Sequence, residues 1–269
     1  MHKIILMEYF GYLASIFIGL SLGLIGGGGS ILTVPILVYL FKVNPELATS
    51  YSLFIVGITA LVGSYNHYKI GNLKIKTALF FAFPSIISLL FIRKIVLPKI
   101  PVALFSVNDF IISKNFLIMV VFAILMIITS VSMIKKAKPV DEEAKHVDLA
   151  RLSFIGLFAG SIIGFLGAGG GFLIVPALLF FAKLNMRQAV GTSLFIIFIN
   201  SFIGFSGDLM GNVAIDFKFL FSISSIAILG FYLGAFLSIK IEGGKLKPLF
   251  GWFTLVMGLY IIIKEIFLK

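Results

Sequence analysis

The 269-residue chain contains no cysteine, and only 12% of its residues are charged. Without thiols there are no disulfides and no thiolate metal sites. A soluble domain carries about twice that charged fraction, so a soluble globular fold is excluded. The three histidines, His2, His67 and His146, are scattered without metal-ligand spacing. No phosphate-loop lysine and no dinucleotide fingerprint follow a strand-length segment. No nucleophile–base pair stands out. An enzyme therefore has little support, and neither a cofactor nor a metal is expected.

What the chain has instead is apolar sequence. Hydrophobic residues make up 60% of it, thirty of them phenylalanine. Charge-free runs cover 9–41, 47–66, 77–92, 115–134, 152–182, 188–207, 219–239 and 248–263. A hydrocarbon core about 30 Å thick is crossed by about 20 helical residues, so several runs are long enough to span it. They are continuously apolar rather than alternating, which excludes a transmembrane barrel. The net charge of +11 resides in short connections between these runs. There it reads as topology and headgroup contact, not as a nucleic-acid surface. The first apolar run has no small-residue cleavage site after a short core and reads as mature sequence.

Two glycine clusters interrupt the apolar sequence at matching places. The first is Gly26-Gly27-Gly28-Gly29, followed by Ser30 and Pro35; the second is Gly167-Ala168-Gly169-Gly170-Gly171, followed by Pro176. Glycine is costly inside a helix and needs a reason there. With a shift of 141 residues, 23–63 and 164–204 agree at 17 of 41 positions, glycines and polar residues included. Gene duplication explains such agreement better than shared apolar composition does. The expected architecture is an all-α polytopic transmembrane bundle of two tandem repeats, 1–134 and 151–269. A charged linker at 135–150, expected on the cytoplasmic side of a bacterial-type cell membrane, joins them.

Each half holds five apolar pieces: 5–25, 30–41, 47–65, 75–97 and 113–134, then 152–166, 171–182, 188–206, 216–240 and 247–267. The second piece of each half spans about 18 Å at 1.5 Å per residue, too little to cross. Each glycine cluster and the short helix after it thus form a broken or re-entrant unit. Counted as one crossing, that unit gives eight spans and parallel repeats; counted as two, it gives inverted repeats.

A broken helix repeated in two halves is the sequence pointer to a transporter's binding site. Helix starts expose unpaired N–H groups and partial positive charge, and two of them can hold an anion. The alternative is that these glycines only allow close packing, as the small residues at Ser15, Gly19 and Gly23 and at Gly156, Gly160 and Gly164 do. Thr49, Ser50 and Ser52, with Thr192 and Ser193, open the third pieces as helix caps or as donors to a substrate. Asn44 and Asn185 suit helix termini. Asn200, opposite Thr59, is interhelical glue or a lining group. His67 and Asp208 occupy matching segment ends and are candidates for ion or proton coupling. Arg93 and Lys94 read as snorkelling at the interface.

The passage 23–30, the passage 164–176 and the stretch Ala189-Val190-Gly191-Thr192-Ser193-Leu194 resemble the TauE/SafE sulfite-exporter family, also called toluene-sulfonate uptake permeases. The resemblance covers nearly the whole chain. It implies a duplicated transporter of about eight spans and a substrate such as sulfite, a sulfonate or a related organic anion. Two places depart from the doubled pattern: Tyr51 stands where the second half has Thr192, and the connection 94–114 is long. The candidate substrate-binding set is therefore Gly26, Gly27, Gly28, Gly29, Ser30, Ser52, Gly167, Gly169, Gly170, Gly171, Thr192, Ser193 and Asn200. The expected partners are a small anion and the lipid bilayer, with a homo-oligomer left open. An anion channel and a non-transporting membrane scaffold are the other readings.

Overall fold

The computed structural model describes residues 2–27, 29–107, 110–134, 149–167, 169–210, 215–240 and 243–267. Gly28, Ala168 and nearly all of the charged linker lie outside the described residues. The helices are α1 (His2–Ile25), α2 (Ser30–Tyr39), α3 (Pro45–Lys69), α4 (Ile75–Phe91), the single turn α5 (Leu97–Lys99), α6 (Lys114–Ile134), α7 (Leu149–Leu166), α8 (Gly171–Phe180), α9 (Met186–Leu209), α10 (Phe217–Lys240) and α11 (Gly243–Phe267). A π-helical turn, Ile92–Val96, joins α4 to α5.

The bundle is helical, with one addition to the all-α expectation. Within the long connection 94–114, β1 (Ala103–Val107) and β2 (Phe110–Ser113) form an antiparallel hairpin. Among the described residues, five helical segments are long and apolar enough to cross a membrane: Pro45–Lys69, Ile75–Lys99, Lys114–Val131, Met186–Leu209 and Phe217–Ser238. Large apolar side chains cover the outside, among them Phe83 at 70% and Phe154 at 74% exposure. In water such a surface would aggregate; in lipid it is the solvated face.

Helix starts follow local chemistry. Asn44 caps α3 by accepting from the Glu46 amide at 3.0 Å, and Pro45 fills the first helical position, where its missing N–H costs nothing. Asn185 caps α9 by accepting from the Gln188 amide at 2.9 Å. Just before these caps, Lys42 (φ 58°) and Lys183 (φ 53°) adopt the left-handed conformation, where non-glycine residues are uncommon.

The most enclosed spans, α3 and α9, pack antiparallel at the centre. Leu53 meets Gly204, Gly57 meets Ser201, and Gly63 meets Leu194. Around them α1 runs parallel to α10 and α4 parallel to α7. Gly19 and Gly23 lie on the backbones of Ala227 and Phe231, while Gly160 and Gly164 lie on those of Ser85 and Leu89. A Cβ at any of these four glycines would collide with main-chain atoms, so the small-residue stripes serve close helix packing.

The short helix α2 doubles back along α1. Its first residues lie against Ile18 and Leu22, while Phe41, just past its end, packs on Gly11 and Tyr12. The α1–α2 unit is thus re-entrant, and α3 starts from the face to which α2 returns. The far end of α11 reaches that face too, where the Tyr39 hydroxyl donates to Glu265 at 3.1 Å.

Candidate functional site

The two glycine breaks meet inside the bundle. Gly27 and Gly171 are in backbone contact, so close that a Cβ on either would overlap the other's main chain. Gly169 stands beside Ser30, Val56 and Ile197. Gly26, Gly167, Gly169 and Gly170 all have φ between 63° and 74°, a region that side chains rarely enter. This crossing sets the first turn of α2 beside the first turn of α8. Amides in a first helical turn have no acceptor within their own helix.

The hydroxyls nearby are divided in their duties. Ser30 donates to the Gly27 carbonyl at 3.0 Å. The Ser193 hydroxyl lies 2.8 Å from the carbonyls of both Gly26 and Val190, tying α9 to the first break. Ser52, at the matching place in α3, is fully buried and its hydroxyl has no partner among the described residues. Asn200 donates to Ser85 at 2.8 Å, while its carbonyl oxygen is buried without a donor among the described residues. Thr33 and Ser201 are further buried hydroxyls without partners among the described residues. A buried polar atom left unpaired costs about 1–3 kcal/mol, so these groups mark where an occupant would be welcome.

Thr192 does different work. It accepts from the Lys74 amide at 3.1 Å, and Tyr51, which replaces it in the first half, accepts from the Asp216 amide at 2.9 Å. Each fastens a central helix to the start of a neighbouring one.

His67 and Asp208 are not brought together. Because α3 and α9 are antiparallel, their last turns lie at opposite ends of the pair. His67 packs on Gly191, whereas Asp208 reaches Ser50. Asp208 belongs to the last turn of α9 and is held by Arg93, whose Nε donates to Oδ1 at 2.8 Å and Nη2 to Oδ2 at 2.5 Å.

Arg93 does not snorkel. It is 7% exposed, and it also donates to Ser50 Oγ at 3.0 Å and to the Gly164 carbonyl at 3.2 Å. Its position in the π-helical turn, a feature frequent at functional sites, aims it inward. One sequence signal was available: Ile95, Val96 and Leu97 follow the Arg93-Lys94 pair, so the charges fall inside the apolar piece rather than at its end.

The ion pair lines a cavity of about 770 Å³, bounded also by Asn44, Glu46, Ser50, Lys94 and Met210. Glu46 is engaged by Lys114, at 2.6 Å. Among the described residues, no group of three or more metal-ligating side chains gathers.

A multi-pass helical bundle with broken helices meeting at its centre and a charged cavity on one side defines an integral membrane transporter. Residues 12–261 match the family described as Sulfite exporter TauE/SafE, and the chain belongs to that family. It is 28% identical to a probable membrane transporter protein of Xylella fastidiosa over 91% of each chain. It is 26% identical to the probable membrane transporter protein YunE of Bacillus subtilis, over 91% of this chain and 93% of that one. A stretch of 119 residues is 34% identical to the probable membrane transporter protein MJ0441 of Methanocaldococcus jannaschii, covering 42% and 44% of the two chains. No solved structure matches the chain.

Proposed function

We propose that this protein is a secondary carrier of a small sulfur-containing anion, such as sulfite or a sulfonate, and binds it where the two glycine breaks meet. The observation that carries the reading is the backbone contact of Gly27 with Gly171. It sets two helix starts side by side, each with first-turn amides that lack an acceptor within their own helix and with a partial positive charge. Ser52 and Asn200, buried with unpaired oxygens, add polar groups to the same central helices. An anion is the ligand such a pair of helix starts favours. The sulfur chemistry follows the description of the family, not the geometry.

The halves 1–134 and 151–269 act as inverted repeats, joined by 135–150. Support comes from matched packing: Gly160 on Ser85 answers Gly19 on Ala227, and Gly164 on Leu89 answers Gly23 on Phe231. The antiparallel α3–α9 pair then lies on the pseudo-twofold axis. Rocking one repeat against the other opens the central site to alternate faces.

The test is uptake into proteoliposomes holding the purified protein, with sulfite, an alkyl sulfonate and chloride as separate substrates. Saturable sulfite or sulfonate uptake that chloride does not match supports the reading. No movement of any of the three contradicts it.

A further inference from the structure

We propose that the Arg93 guanidinium is the docking group for the transported anion at the cavity mouth, and that the Asp208 carboxylate holds this place until the anion displaces it. The inference rests on the anion-carrier reading above and adds an entry point to it.

Arg93 has the shape to hold such an anion. Arg93 offers Asp208 two parallel donors, Nε to Oδ1 and Nη2 to Oδ2. A planar fork of this kind fits any group that presents two oxygens on one edge, including sulfite and sulfonates. The fork is also fixed in place. Its other nitrogen, Nη1, is tied to the Gly164 carbonyl, and Nη2 also reaches Ser50. Exchanging one two-oxygen acceptor for another requires no new orientation of Arg93.

Asp208 is the partner free to leave. The Arg93 side chain is 3% exposed and that of Asp208 is 12% exposed, and both line the cavity. Asp208 sits in the last turn of α9, where a helix end is least constrained. Ser50 donates to Asp208 at 2.6 Å, and that hydroxyl is released to the incoming anion when the carboxylate moves.

The charge of the cavity favours an anion. Arg93, Lys94, Glu46 and Asp208 line the cavity, and Lys114 neutralises Glu46 from its edge. Lys94 has no acidic partner among the described residues. The group therefore carries one cation more than it has acids, and Lys94, whose Cε lies near Gly207, stands ready for the displaced carboxylate.

The matched place in the other half is filled by uncharged packing. The matched corner of the second half is built from Gly191, Ala235 and His67, with Ala235 against Gly23 as Arg93 is against Gly164. Among the described residues that corner has no ion pair.

The experiment is calorimetric titration of the full-length protein in lipid nanodiscs with sodium sulfite, against sodium chloride at equal ionic strength. Asp208→Asn removes the internal competitor and is expected to lower the sulfite Kd about tenfold. The electrically neutral double variant, Arg93→Gln with Asp208→Asn, is expected to raise it at least about tenfold above wild type. Arg93→Lys keeps the charge but loses the fork, and is expected to weaken binding several-fold; it serves if the double variant does not fold. An Asp208→Asn affinity equal to or weaker than wild type overturns the proposal, as does wild-type affinity in the double variant or in Arg93→Lys. If the wild-type protein moves no anion in liposomes, the carrier reading itself fails. If it moves sulfite while these variants bind as wild type does, only the docking assignment fails.

Discussion

Tyr51 and Thr192 occupy matched positions in the two halves and make the same connection with different side chains. Tyr51 accepts the Asp216 amide at the start of α10, and Thr192 accepts the Lys74 amide at the start of α4. Each bond fastens a central helix to one packed against it. Tyr51→Phe and Thr192→Val are each expected to cost about 1 kcal/mol, read as a similar lowering of the thermal midpoint in detergent. Loss in only one of the two would break the equivalence.

Much of this arrangement was legible in the sequence. The ten apolar pieces coincide with ten helices, because continuous hydrophobic runs bounded by glycine, asparagine and lysine leave few other choices. The doubled glycine clusters marked the breaks, since runs of glycine have no packing use that spaced glycines do not serve better. Tyr51 against Thr192 looked like a divergence, but hydroxyl position rather than residue type is what the two share. Arg93 was misread because its partners Ser50, Gly164 and Asp208 lie 43, 71 and 115 residues away. Local pattern carries no information about contacts at that range. The β-hairpin was missed for another reason: its strands of five and four residues adjoin longer apolar runs.

The glycine contact is sterically exacting. Gly27→Ala or Gly171→Ala forces a Cβ into backbone atoms that cannot move aside, and overpacking of this kind costs about 1–3 kcal/mol. At Gly207, where the nearest atom to a new Cβ is a leucine methyl at 3.4 Å, alanine is expected to stay within about 0.5 kcal/mol of wild type. Thermal melting of the three variants in one detergent makes the comparison.

The ion pair is expected to behave as a unit. Arg93→Gln leaves a carboxylate without its guanidinium, and Asp208→Asn leaves a buried guanidinium undercompensated. Removing one member of a buried pair costs up to about 3–5 kcal/mol. The double variant is expected to be less destabilised than the two single effects added together, with a coupling of at least about 1 kcal/mol. Additive effects in a double-mutant cycle would show that the pair contributes nothing jointly.

The absence of cysteine makes orientation directly measurable, since any single introduced thiol is the only one present. Lys42 and Lys183 precede α3 and α9, which run antiparallel. Lys42→Cys and Lys183→Cys are therefore expected to react with a membrane-impermeant maleimide from opposite sides of sealed vesicles. Labelling from one side would require parallel repeats.

Sulfite counterflow in proteoliposomes bears most directly on the central claim, that an anion is carried through the place where the two glycine breaks meet. Vesicles preloaded with unlabelled sulfite are expected to take up labelled sulfite transiently above equilibrium. Ser52→Ala with Asn200→Ala, which removes two buried polar groups from the central helices α3 and α9, is expected to reduce that uptake at least about tenfold in protein that still folds. Wild-type counterflow in the folded double variant, or no counterflow in the wild type, contradicts the account.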